Sequence, residues 1–253
     1  MSSQEKAKEG ATQSNMVTAA QAGADQTVES TPNRRMRFPA AVAVLVAVNL
    51  LVFLTLPVVF GSQYPTRLDR LGADWGPLTL SGQWWRLLTS TFVHIQLSHL
   101  VFNMLGLWLL GKRVEGLLGS GIFLLLYFVC AFIGDMTVLA FHPEGASYGA
   151  SVGVMGVAGA IIAAYGSRWG QLSWSTRGKL AVLILYVAYV VRSEFSRGLY
   201  VGHTAGLLAG TCLAAFFIYC ATSARSRYCT FAVILVLLAI TGATIRQHYH
   251  FAR

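Results

Sequence analysis

Residues 38–61 read FPAAVAVLVAVNLLVFLTLPVVFG, an apolar run that contains no charged side chain. Arg34, Arg35 and Arg37 lie directly before it. At about 1.5 Å per residue, a helix of this length crosses the ~30 Å hydrocarbon core of a bilayer. The run therefore predicts a transmembrane helix.

The composition of the whole chain predicts the same class of protein. Of the 253 residues, 55% are hydrophobic and only 11% are charged, and the mean hydropathy is +0.57. A soluble domain of this size could not bury so much apolar surface. The net charge of +9 comes from basic residues in the gaps between apolar runs, as in multi-span membrane proteins. We therefore expect an all-α polytopic membrane protein in a lipid bilayer, with no nucleic acid as partner.

Further charge-free runs predict seven spans in total. They cover roughly 38–61, 87–111, 116–134, 145–167, 180–191, 198–224 and 228–245, and the short fifth run can be extended back to residue 172.

The basic cluster before the first span, and a small excess of Lys and Arg on the same side, place the N-terminus in the cytoplasm. We expect a disordered cytoplasmic tail at 1–33, a six-span core at 34–222, and an extra C-terminal span with a short tail at 223–253. Residues 62–98, rich in Trp and Arg, predict a folded outer loop in the membrane interface.

Two polar residues lie at the heads of predicted spans. Ser151 follows a chain break at Pro143 and Gly145 and starts a helix too short to cross the bilayer, so it would face a wet depression on the outer side. The alternative is a serine that caps the helix. His203 lies in the stripe Gly202, Gly206, Gly210, which permits close packing against a second glycine-rich helix.

If the glycine faces of these two spans pack together, Ser151 and His203 come within hydrogen-bonding distance. A serine beside a histidine is an activated nucleophile with its general base. His99 and Asn103, four residues apart on one helical face, are candidate donors to an oxyanion, or alternatively join helices. Asp135 is either a third acid that orients His203 or a hydrogen-bonding partner of nearby groups. We expect His94 to be a donor that stabilises the loop.

These residues belong to a longer ordered set of motifs. In chain order they are GQWWR (82–86), FVH (92–94), HxxxN (99–103), GKRVE (111–115), GAS (149–151) and HxxGxxxG (203–210). With this set the chain resembles the rhomboid intramembrane serine proteases, from about Trp75 to Phe217.

The resemblance implies a catalytic dyad of Ser151 and His203, with an oxyanion hole formed by the Ser151 backbone N–H and the side chains of His99 and Asn103. It implies supporting roles for other positions in the motifs: Gly149, Gly206, Gly210, Trp85, Arg86 and Met155. Arg86 is expected to be structural. The expected substrates are single-span or multi-span membrane proteins, cut at the outer side of a plasma membrane beside small residues.

Two residues depart from the family pattern. Val152 follows the serine where the family usually has glycine, and Met155 stands where an aromatic ring often stacks on the base. The alternative function is therefore a catalytically inactive relative that binds or chaperones transmembrane helices. The four cysteines show no metal-ligand spacing, so we expect no metal and no other cofactor.

Overall fold

A computed structural model describes residues 38–61, 71–166, 168–195 and 198–219. The predicted tail at 1–33, the seventh span at 228–245 and part of the outer loop lie outside these residues. The elements, in chain order, are α1 (Ala40–Phe60), β1 (Asp74–Trp75), α2 (Gly76–Leu80), α3 (Arg86–Thr89), a 3₁₀ turn (Ser90–Phe92), α4 (Leu97–Leu118), α5 (Ser120–Phe141), β2 (Ala146–Ser147), α6 (Ser151–Gly166), a second 3₁₀ turn (Trp169–Gln171), α7 (Trp174–Ser193) and α8 (Tyr200–Tyr219).

Among the described residues, four helices are long and apolar enough to cross a membrane: α1, α5, α7 and α8. A fifth span is counted when the segments Arg86–Phe92 and Leu97–Leu118 are taken as one broken span, bent by 96°. The helix α6 is apolar but has only 16 residues. The chain is a multi-pass membrane protein with an all-α membrane fold, as predicted. The two strands in the part that the structure describes contain two residues each.

The second span differs from its prediction at 87–111, because its helix runs from Leu97 to Leu118. The charge-free run includes an irregular segment at which the chain turns, and both Val93 and Gln96 have extended backbone conformations there. Absence of charge locates apolar residues but does not locate a sharp bend. Residues 87–92 therefore precede this helix, and they lie within the segment 62–98 that the sequence also predicts to be the outer loop.

The short helix α6 forms the centre of the fold. Its residues 152–161 are all buried, because α4, α5, α7 and α8 pack around it. A helix that is apolar on all sides is suited to such a position. By contrast, α1 exposes Leu51, Leu54 and Val58, as expected for side chains that contact lipid.

Glu115 connects the first helix to the core. Its carboxylate oxygens accept hydrogen bonds from the backbone N–H groups of Ala41 and Val42, each at 3.0 Å. These groups lie in the first turn of α1, where the helix dipole favours a negative charge. A carboxylate from α4 thus caps a helix whose own N-cap residue, Pro39, provides no side-chain hydrogen bond.

Candidate active site

Glycines allow α6 and α8 to pack backbone against backbone. A Cβ atom added at Gly210 would lie 1.9 Å from the Gly156 carbonyl oxygen, and one added at Gly159 would lie 2.2 Å from the Leu207 oxygen. Real Cβ atoms do not approach oxygen so closely, so these positions accept no larger residue without movement. Gly206 makes the same approach at Val152, where an added Cβ would lie 2.7 Å from the carbonyl oxygen.

This packing brings Ser151 and His203 into direct contact. The Ser151 hydroxyl and Nε2 of His203 are 2.9 Å apart. On the other side of the ring, Nδ1 lies 3.1 Å from the carbonyl oxygen of Leu199. A carbonyl only accepts, so Nδ1 carries the proton and Nε2 is free to accept the serine proton. Ser151 is the first residue of α6, so the helix-capping position belongs to Ala150 rather than to the serine.

His99 and Asn103 lie beside the chain segment that leads into Ser151. Gly149 has φ of +100°, in the region that favours glycine. A Cβ added there would lie 3.0 Å from Nε2 of His99 and 3.5 Å from Nδ2 of Asn103. The glycine therefore lets both side chains approach the backbone next to the serine.

His94 is fully buried and supports this arrangement through its Nε2 atom. That nitrogen accepts hydrogen bonds from the Asn103 amide at 3.0 Å and from the Ala150 backbone N–H at 3.3 Å. Nδ1 lies 3.4 Å from the Phe92 carbonyl oxygen, to which it donates, so the neutral ring carries its proton on Nδ1. The expected loop-stabilising donor is thus mainly an acceptor. Burial, reinforced by the nearby His99, lowers the pKa of His94 to about 4.

Asp135 joins the outer loop to the loop before Ser151. One carboxylate oxygen accepts a hydrogen bond from the Ser90 hydroxyl at 2.6 Å, and the other accepts one from the Ser147 hydroxyl at 2.8 Å. The Ser90 carbonyl in turn accepts the Gly149 N–H at 2.9 Å. These contacts favour the second of the two roles considered for Asp135, because Leu199 already occupies Nδ1 of His203.

The outer loop is held by buried polar contacts as well. Arg86 is 4% exposed, donates to the Ala73 carbonyl at 2.9 Å and to the Gln83 side chain at 2.9 Å, and lies over the exposed Trp85 ring. These contacts hold the loop together, and the structural role expected for Arg86 stays a prediction. The strand pair Asp74–Trp75 and Ala146–Ser147 then fixes this loop to the segment before the serine.

Val152 occupies a space left by two glycines. A Cβ added at Gly134 of α5 would lie 2.1 Å from Cγ1 of Val152, and one added at Gly206 of α8 would lie 3.0 Å from the same atom. The valine that departs from the family pattern is therefore accommodated by Gly134. Met155, one turn further along α6, is buried in the core, and its effect on the histidine ring remains a prediction.

Sequence reasoning missed several supporting groups. The only signal for Gly134 is a glycine directly before Asp135 in a span of larger residues. Ser90, Ser147 and the Leu199 carbonyl have no local signal, because their roles depend on contacts between distant segments.

Among the residues that the structure describes, no cluster of three or more His, Cys, Asp or Glu side chains is arranged to hold a metal ion.

Comparison with known proteins identifies relatives. A sequence model of the Rhomboid domain matches residues 81–220. The chain is 32% identical over 203 residues to the rhomboid protease GluP of Bacillus subtilis, an alignment that covers 80% of this chain and 39% of that protein. It is 30% identical over 149 residues to rhomboid-like protease 3 of Toxoplasma gondii, covering 58% of this chain and 57% of the relative.

A third relative is the mitochondrial RHOMBOID-like protein 6 of Arabidopsis thaliana, 30% identical over 152 residues, with 58% of this chain and 48% of the relative covered. The chain thus spans about two fifths to three fifths of the length of these relatives.

The contact between Gly134 and Val152 predicts a non-additive pair of substitutions. We expect Gly134→Ala to lower the free energy of unfolding by about 1–3 kcal/mol, because its Cβ overlaps Val152 and also lies 2.7 Å from the Gly202 carbonyl oxygen. Adding Val152→Ala should recover part of this loss, since it removes the first overlap only. Thermal unfolding in detergent measures both effects. Gly178→Ala, at an open helical position, is the control and should be neutral or stabilising.

The lowered pKa of His94 predicts a loss of stability in acid. The folded pKa of about 4 lies below the usual value of 6.5, so the unfolded chain takes up the proton first as pH falls. The contribution of neutral His94 to the free energy of unfolding is therefore complete above pH 6.5. It is lost between pH 6.5 and 4, and amounts to at most about 3 kcal/mol. We expect the unfolding temperature of the wild type to fall more steeply over this window than that of His94→Gln.

Asp74 changes the stability with pH in the opposite direction, because burial raises its pKa to about 6 and its contribution to stability therefore grows as the pH falls. This contribution is present in both proteins and cancels in the comparison. Parallel curves for the wild type and His94→Gln would contradict the assignment of a buried, neutral His94.

Proposed function

Because the chain belongs to the rhomboid family, we propose that it is an active intramembrane serine protease that uses Ser151 as nucleophile and His203 as general base. The observation that carries this proposal is the 2.9 Å contact between the serine hydroxyl and Nε2 of the histidine. It joins two residues 52 positions apart in a membrane fold where polar groups are costly.

In the proposed mechanism, Oγ of Ser151 attacks the carbonyl carbon of the scissile peptide bond while Nε2 of His203 takes the hydroxyl proton. The tetrahedral intermediate collapses, the histidine returns the proton to the departing amine, and an acyl ester remains on the serine. Water, deprotonated by His203, then hydrolyses the ester and restores the serine. The Leu199 carbonyl supports this role, because it holds the imidazole in the required tautomer as an aspartate does in soluble triads.

The proposed oxyanion hole consists of the Ser151 backbone N–H and the side chains of His99 and Asn103. The position of both side chains against Gly149 supports it. An amide nitrogen has two N–H groups, so Asn103 retains a donor for the oxyanion after it donates to His94. His94 and Asp135 hold the surrounding segments and do not contact the reacting atoms.

The proposed substrates are membrane-spanning helices that unwind near the outer face and are cut beside small residues. The proposed location is a plasma membrane, with the N-terminus in the cytoplasm and the catalytic pair toward the extracytoplasmic side. Ser151 and His203 both lie in the first turns of their helices, α6 and α8, which supports a position of the pair near one surface of the membrane. The alternative, an inactive helix-binding relative, rests on Val152, whose accommodation by Gly134 weakens it.

We expect the purified protein in liposomes to cleave a single-span substrate with small residues near its outer end. Ser151→Ala and His203→Ala should each reduce the rate by at least about 1000-fold, because each removes a reacting group. Mass spectrometry of the products gives the rates and locates the scissile bond.

Ser175→Ala, an exposed serine at the start of α7, is the control and should cleave at the wild-type rate. Cleavage that persists in the two dyad variants would refute the assignment of the dyad. If folded wild type fails to cleave several such substrates yet binds them, the helix-binding alternative is correct.

A further inference from the structure

One face of α5 packs closely against the start of α8. Gly134 and Val138 are four residues apart, so they lie one above the other on that face. A Cβ atom added at Gly202 of α8 would lie 2.5 Å from Cγ2 of Val138 and 3.1 Å from the Gly134 carbonyl oxygen. Two successive turns of α5 therefore contact the same glycine of α8.

His142 extends this face beyond the end of α5. It is the C-cap residue of the helix, four positions after Val138, and its backbone N–H donates to the Val138 carbonyl at 2.7 Å. The imidazole is half-buried and lies against Gly198. A Cβ added at Gly198 would overlap Nε2 and Cε1 of this ring and would lie 2.9 Å from Cδ2. The ring thus touches the chain just before α8.

The backbone at this contact requires glycine. Gly198 has φ of +74°, and its N–H donates to the Phe195 carbonyl at 3.2 Å. The rings of Phe195 and Tyr200 stack, with 4.9 Å between their centres. These contacts hold the end of α7 close to the start of α8, with Gly198 against the His142 ring.

The next residue, Leu199, provides the carbonyl that contacts the proposed base. Its oxygen lies 3.1 Å from Nδ1 of His203 and keeps the proton on that nitrogen. Gly198 and Leu199 share a planar peptide group, so a shift of the glycine is passed on to Leu199. A shift of the oxygen by about 1 Å would break the hydrogen bond. The proton could then move to Nε2, which would no longer accept the serine proton.

We propose that His142 is a positioning residue for proteolysis, an inference that rests on the proposed role of His203 as general base. By supporting Gly198, the His142 ring holds the Leu199 carbonyl at Nδ1 of His203 and keeps Nε2 free to accept a proton. His142 acts through these two residues rather than on the reacting atoms. It also borders the segment that leads to the serine, because its carbonyl oxygen accepts the Gly145 N–H at 2.9 Å.

The first test measures the tautomer of His203 directly. The full chain, labelled with ¹⁵N-histidine, is studied by NMR in detergent at alkaline pH, and the His203 signals are assigned from their absence in His203→Gln. We expect the wild type to carry the proton on Nδ1. In His142→Ala the tautomer ratio should shift about tenfold toward Nε2–H, because one neutral hydrogen bond is lost.

Two variants serve as matched controls for this shift. His142→Phe keeps a planar ring against Gly198 and should retain the wild-type tautomer. Glu144→Gln alters an exposed side chain of the same loop and should also retain it. Thermal unfolding checks that each variant folds, and His142→Ser provides a second ring-free variant if His142→Ala does not.

A double-mutant cycle tests the route through Gly198. Gly198→Ala forces the ring and the chain apart, so the contact is already disturbed before His142 is changed. Adding His142→Ala to Gly198→Ala should then shift the tautomer ratio by less than about twofold, instead of about tenfold. Equal shifts in the two backgrounds would overturn the proposed route.

Cleavage kinetics separate this role from a general loss of structure. We expect His142→Ala to lower kcat about tenfold with KM changed less than about twofold, and His142→Phe to restore kcat. A wild-type tautomer in the folded ring-free variant would overturn the positioning role, whether or not the protein cleaves substrate. Failure of the wild type to cleave would instead contradict the proposed function, and the NMR measurement would still decide the role of His142.

Discussion

The close approach of α6 and α8 is the constraint on which the candidate site depends. Gly156, Gly159, Gly206 and Gly210 allow the two backbones to touch, and the heads of both helices then meet at Ser151 and His203. In lipid no hydrophobic effect drives helices together, so such packing must come from close van der Waals contact. A single larger side chain in this seam would separate the two residues, although neither would be altered itself.

A second requirement follows from placing irregular backbone within a membrane. Polar groups there need partners inside the protein, since water is scarce. In the segment before Ser151, the Ser147 hydroxyl donates to the Asp135 carboxylate and the Ala150 backbone N–H donates to His94. Ser90 connects the outer loop to the same segment. The buried ionisable residues of this region thus position the loop, while the two proposed reacting groups lie at helix ends.

Much of this arrangement follows from local sequence. The runs of apolar residues predict the membrane class, and the glycine stripe beside His203 predicts the seam with α6. The bend before Leu97 was not predicted, because it depends on the buried outer loop rather than on the charge-free run. The space for Val152 was not predicted either, since it is provided by Gly134 on a different helix. Contacts of this kind join residues far apart in the chain, and a single sequence does not encode them locally.

The central claim is that Ser151 is activated by His203, and covalent labelling tests it without any assumption about substrate. The folded protein would be treated with a fluorophosphonate, which reacts with activated serine hydroxyls, and the modified residue mapped by peptide mass spectrometry. The account predicts that Ser151 is the labelled residue, and that labelling is about 100-fold slower in His203→Ala, because the general base is lost. Absence of label on Ser151 in folded wild type, or equal labelling rates in both proteins, would contradict it.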